Sequence, residues 1–305
     1  MIKPLAKGIW SAVSPFIWPN SEKKLRALLL GSVAAAVLHP FAAPLLPTAE
    51  EFLEGEHLNP ALAQELAPGR RVYFIQDGVL AKSLFLLRTP FAPLAGSRYL
   101  LHYVAPGAST LATYNPTNFS NNSVVTLSPS FKERGVAFFI HYMTRIPEEN
   151  IKNLPISIDD QYKIAALHEI RHSAQAQDGM GLTKEPDSDY YSAIIAAREL
   201  NKPEIIKYVF NLRAAHEPGD GHDGALYLDA KLNGLPVPST KEVRAANEEA
   251  GKFVEEKRSD LSSLSPLARK RVEFYRAAWN YFTTPPAHSA TLQKTSPTPE
   301  APKIS

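Results

Sequence analysis

The chain contains no cysteine. Disulfides, thiolate metal ligands and thiol nucleophiles are thereby excluded, so any bound metal must be held by histidine or carboxylate. Charge of one sign is missing too: 33 basic residues stand against 31 acidic ones, which leaves no electrostatic footprint for nucleic acid. A bilayer-spanning run of about 20 apolar residues is also absent. The longest clean stretch, Ala27 to Leu38, has twelve residues. That is the length of a signal-peptide core, and basic Lys23 and Lys24 precede it. Residues 25–47 therefore point to export or membrane association, with a helix packed on the domain as the alternative. Residues 1–24, with Trp10, Phe16 and Trp18 among prolines, form a separate short segment. No internal repeat is apparent.

What remains is enough for a globular domain. The 305 residues are 44% hydrophobic and 21% charged, so a full core can be buried. The 26 prolines lie largely in the N-terminal third and the tail, and mark irregular chain there. From Thr283 to the end the sequence is rich in Pro, Thr, Ser and Ala without periodicity, and is expected to be disordered.

The most informative residues are His168-Glu169-Ile170-Arg171-His172, the pattern H-E-x-x-H. On a helix, residues four apart lie one turn above each other on one face, so both imidazoles can reach a single zinc ion. Glu169 is then close enough to take a proton from water activated by that ion. A good helix surrounds the motif. Ser157 is a hydroxyl cap followed by Asp159 and Asp160 in the first turn, and no Pro or Gly occurs from Gln161 to Gln177. Ile164, Leu167, Ile170 and Ala174 recur at helical spacing, and Asp178-Gly179 is the expected stop.

A catalytic zinc site needs a third protein ligand and an open fourth position. Glu185-Pro186-Asp187-Ser188-Asp189 opens a second helical stretch, Tyr190 to Leu200. Here the sequence resembles the gluzincins, zincin-like metallopeptidases whose second helix carries E-x-x-x-D. The resemblance implies Glu185 as zinc ligand and Asp189 as the carboxylate that orients a ligand histidine. Only thirteen positions separate His172 from Glu185, fewer than gluzincins usually show. Glu185 stands at the very start of the returning helix and Asp189 one turn in, so Asp189, or Asp187, is the alternative ligand. The metzincin pattern is a poorer match: Asp178 stands where the last ligand would be, but Gln175 replaces the glycine that turns the chain back.

Lys202 to Ala215 reads as a further helix, followed by a Gly-rich turn, His216 to Gly224. His222 in that turn is a candidate donor to the oxyanion of a tetrahedral intermediate, oriented by Asp220 or Asp223, with a solvated polar turn as the plainer reading. Tyr190, Tyr191 and Tyr227 are other possible donors. Lys241–Lys257 and Leu267–Phe282 are two more amphipathic helices, the second capped by Ser265-Pro266.

Residues 69–145 read as β-rich: Arg71–Ile75 and Val79–Leu87 about a turn at Gln76-Asp77-Gly78, then Tyr99–Val104, Val124–Leu127 and Val136–Met143. Asn115 to Ser123 reads as a polar loop containing the sequon Asn118-Phe119-Ser120. The expected fold is thus α+β and zincin-like, a domain over 69–282 with a sheet at 69–145 and helices at 150–282. In zincins the edge strand binds extended peptide by β-addition, a part that Val124–Leu127 or Val136–His141 could play. The function implied is a zinc metallopeptidase acting on a peptide or protein. A zinc hydrolase of non-peptide amides or esters, and a non-catalytic membrane-associated structural protein, are the alternatives.

Overall fold

The computed structural model describes residues 47–76, 112–116, 122–127, 130–175, 181–219 and 222–286. Residues 1–46, the strands expected at Val79–Leu87 and Tyr99–Val104, the sequon, Asp178-Gly179, Asp220 and the tail beyond 286 lie outside them. The described elements are α1 (Ala49–Gly55), α2 (Leu62–Leu66), β1 (Arg71–Gln76), β2 (Ala112–Pro116), β3 (Asn122–Leu127), α3 (Ser130–Arg134), α4 (Val136–Thr144), α5 (Ile158–His172), α6 (Gly181–Glu199), α7 (Glu204–Ala214), α8 (Ala225–Leu232), α9 (Thr240–Glu255) and α10 (Pro266–Thr283). Short 3₁₀ turns lie at Glu148–Asn150 and Leu261–Ser263. The chain divides into two compact units, residues 1–131 with 165–177, and residues 132–164 with 178–305.

In the first unit α1 begins with a reciprocal cap. The Thr48 hydroxyl accepts from the Glu51 amide, and the Glu51 carboxylate accepts from the Thr48 amide at 2.8 Å. Phe52 of α1 stacks on Phe74 of β1 with ring centroids 4.0 Å apart. The small sheet has strand order β1-β3-β2, with β3 parallel to β1 and antiparallel to β2. Ala166, Leu167 and Ile170 on the C-terminal half of α5 are fully buried. Arg171 donates from Nη1 to the Leu66 carbonyl at 3.3 Å, which ties that half of α5 to α2.

The second unit is helical. Ser157 caps α5 as expected: its hydroxyl accepts from the Asp160 amide at 3.1 Å and donates to the Asp160 carboxylate at 2.7 Å. Lys202 adds an ion pair to the same carboxylate at 2.6 Å. Burial would raise the Asp160 pKa, but Lys202 and Ser157 outweigh it and hold the carboxyl below its ordinary value. A core of Leu226, Val243, Ala246, Ala250, Phe253, Leu264, Ala268 and Val272 packs α8, α9 and α10 together. Capping residues set the helix starts, Ser239 with Glu242 for α9 and Ser265 with Pro266 for α10.

The β-rich expectation for residues 69–145 fails, because the described residues are mainly helical and their strands are three short ones. Arg71–Ile75 and Val124–Leu127 are strands, but Val136–Met143 is the helix α4. Its apolar run is continuous, so periodicity could not separate strand from buried helix. The structure buries Phe139, Ile140 and Thr144, a helical spacing, and the Thr144 hydroxyl donates to the Ile140 carbonyl one turn back. The β-addition role falls with it. Val136–His141 is helical, and β3 is the middle strand, with both of its edges already paired.

Two boundaries near the motif also differ. Helix α5 stops at His172 rather than at Gln177, and Ser173, Ala174 and Gln175 continue as turns that bond three residues back. Helix α6 starts at Gly181, ahead of Glu185, and carries Pro186 inside it. A proline there forfeits one backbone hydrogen bond. Its ring is seated against Gly224, where an added Cβ would come within 2.6 Å of the Pro186 Cγ. Among the described residues no helix is long and apolar enough to cross a membrane.

Candidate metal centre

Helix α5 places His168 and His172 one turn apart. Their Nε2 atoms are 2.9 Å apart, with the rings edge-on at 82°. The Nδ1 of His172 lies 2.7 Å from Oε1 of Gln175. That amide oxygen only accepts, so Nδ1 carries the proton and the Nε2 lone pair of His172 points at His168. Two ring nitrogens this close are satisfied either by an N–H donated from His168 Nε2 to that lone pair or by a metal bound to both. Gln175 thus fixes a metal-binding tautomer, from the position where a metzincin would have glycine.

Among the described residues one group of histidine and carboxylate side chains converges closely enough to hold a metal: His168, His172 and Glu185, with one ligand atom from each and all within 4.8 Å of one another. Two imidazoles and a carboxylate form the donor set of many catalytic zinc sites, and three protein ligands leave a fourth position for water or substrate. The donor chemistry therefore fits zinc. Helix α6 begins at Gly181, so Glu185 stands one turn into it, where the sequence reading has Asp189. Glu169 is half-buried on α5 beside His168.

Asp189 is outside that group. Its carboxylate accepts from Nε of Arg213 at 2.5 Å. The same guanidinium donates from Nη2 to Glu185 at 3.2 Å and from Nη1 to the His222 carbonyl at 2.9 Å. Arg213 is 4% exposed. Burial alone would lower its pKa, but the Asp189 and Glu185 carboxylates outweigh that and raise it above the ordinary arginine value.

Asp187 accepts from Lys231, whose Nζ lies 5.0 Å from the Tyr190 ring, 5.3 Å from Tyr191 and 5.7 Å from Tyr227. The three candidate tyrosines thus surround an ammonium group. His222 is not part of the metal-holding group, and its side chain is exposed. Asp223, one of its two expected orienting partners, instead binds the fully buried Arg271 at 2.5 Å and the Gly219 amide at 3.2 Å. Arg271 also donates to the carbonyls of Ala214 and His216, which anchors the chain where it leaves α7.

Sequence reasoning missed Gln175 and Arg213. Arg213 had a legible signal: it follows Ile205 and Val209 at four-residue steps, on the buried stripe of α7. Gln175 had none, because its role depends on α5 ending at His172. Gln175→Leu should keep the fold and lower zinc affinity about 10–100-fold, the usual cost of removing a hydrogen-bond partner of a ligand histidine. A competitive chelator titration measures this, and unchanged affinity would separate Gln175 from the centre.

The chain was compared with protein-family models, curated proteins and solved structures, and none of them matches it.

Proposed function

We propose that this chain is a zinc-dependent hydrolase that cleaves peptide bonds, with His168, His172 and Glu185 holding the metal and Glu169 acting as general base. The observation that carries the reading is the convergence of one nitrogen from each histidine and one Glu185 oxygen within 4.8 Å, with Glu169 next to His168 in the chain. Zinc held there supplies a Lewis acid that lowers the pKa of water towards about 7 and polarises a carbonyl.

The chain's own groups do the rest. Glu169 accepts the proton of the attacking water on its carboxylate and returns it to the leaving nitrogen. That second transfer is what an amide needs, because an amine anion is a poor leaving group. Gln175 keeps the His172 proton on Nδ1, and so keeps Nε2 available as a ligand.

A second reading, hydrolysis of a non-peptide amide or ester, uses the same residues. It is favoured by the loss of both segments expected to hold an extended peptide. One experiment addresses both. The full chain is incubated with a peptide mixture and with small amide and ester substrates, with and without a chelator. Peptide cleavage that a chelator abolishes and added zinc restores is the expected result. Metal-dependent cleavage of the small substrates alone would favour the second reading, and hydrolysis indifferent to the chelator would contradict both.

A further inference from the structure

Glu185 and Asp189 lie one turn apart on α6, so their like charges repel. One buried guanidinium answers both. Arg213 reaches across from α7 and spends Nε on Asp189, Nη2 on Glu185 and Nη1 on the His222 carbonyl. Three donors of one planar group therefore meet two positions on α6 and one on the following turn. Only an arginine fork can do this, because a lysine ammonium is a single point on a flexible stem.

We propose that Arg213 is a positioning residue for the metal centre: it holds the Glu185 carboxylate in place as a ligand, while Asp189 and the His222 carbonyl hold Arg213. The inference rests on the zinc-site reading above. A glutamate side chain on a helix samples several rotamers, and metal binding must select one of them. The Glu185 side chain is 25% exposed, so packing alone does not select it, and the bond to Arg213 narrows the choice. Asp189 then acts at one remove from the metal, through Arg213, in place of the direct hydrogen bond to a ligand histidine that the gluzincin resemblance implies.

The test is a chelator titration of zinc on the full chain, for wild type and Arg213→Lys, each with Glu185 intact and with Glu185→Ala, using a weaker competitor in the latter background to read the residual affinity of the two histidines. Arg213→Lys is expected to lower zinc affinity about 10–100-fold when Glu185 is present and to change nothing further when it is absent. A merely structural ion pair would lower the melting temperature and leave the zinc affinity of the folded protein alone. Wild-type affinity in Arg213→Lys, or an equal loss in the Glu185→Ala background, overturns the assignment. If Arg213→Lys does not fold, Asp189→Asn tests the same clamp from its other side. About a tenfold loss that likewise disappears without Glu185 supports the assignment, and wild-type affinity or an additive loss overturns it. Wild-type protein that binds no zinc at all defeats the metal centre itself, an outcome distinct from either variant result.

Discussion

Glu169→Gln is expected to leave the fold and bound zinc intact while hydrolysis falls about 10²–10⁴-fold or more. The amide matches the carboxylate in shape and is still polar, so the half-buried site on α5 loses neither packing nor a hydrogen-bonding side chain. What it loses is the ability to take a proton from water and return it to the leaving nitrogen. The loss should appear in kcat, because no ligand to the metal is changed. Steady-state hydrolysis beside a zinc determination on the same preparation measures both halves of this expectation. Near-normal kcat would assign the base to another residue.

His168→Ala and His172→Ala should each abolish tight zinc binding, and all metal-dependent hydrolysis with it. On the proposed zinc site each removes one of three protein ligands, and the two that remain cannot build the closed chelate. His172→Ala also releases Gln175 from its 2.7 Å contact with Nδ1. Neither change should unfold the chain, since Ala166, Leu167 and Ile170 supply the fully buried apolar face of α5 in both variants. Thermal melts beside the chelator titration separate loss of metal from loss of fold. Either variant retaining zinc at wild-type affinity would remove that histidine from the centre.

Local features were legible in the sequence, and long-range ones were not. The start of the H-E-x-x-H helix with its Ser157 cap and the Ser265-Pro266 start of α10 depend on residues within a turn or two of each other, and they stand where the sequence puts them. Helix α8 went unread, because its eight residues follow a Gly-rich turn and no side chain caps them. The run Val136–Met143 reads as a strand in sequence because a continuous apolar segment has no period, and its burial pattern is set only by what packs on it. Pro186 was read as part of a helix start, where proline is favoured. Its true place inside α6 depends on Gly224, 38 positions along the chain, which leaves room for the ring. That boundary puts Glu185 one turn into α6, where the sequence reading has Asp189. The Arg213 clamp lies furthest from sequence reasoning, since its partners are 24 and 28 residues away along the chain. Spacing within one helix pair names Glu185 and Asp189 together, and only the folded chain puts Glu185 in the candidate metal group and leaves Asp189 outside it.

Zinc bound to the purified full chain is the most direct measure of the central claim. Protein prepared without chelator and dialysed against metal-free buffer should retain one zinc per chain, or take up one when titrated, and His172→Ala prepared in parallel should do neither. Wild-type protein that is folded, holds no zinc and takes up none on titration would contradict the account.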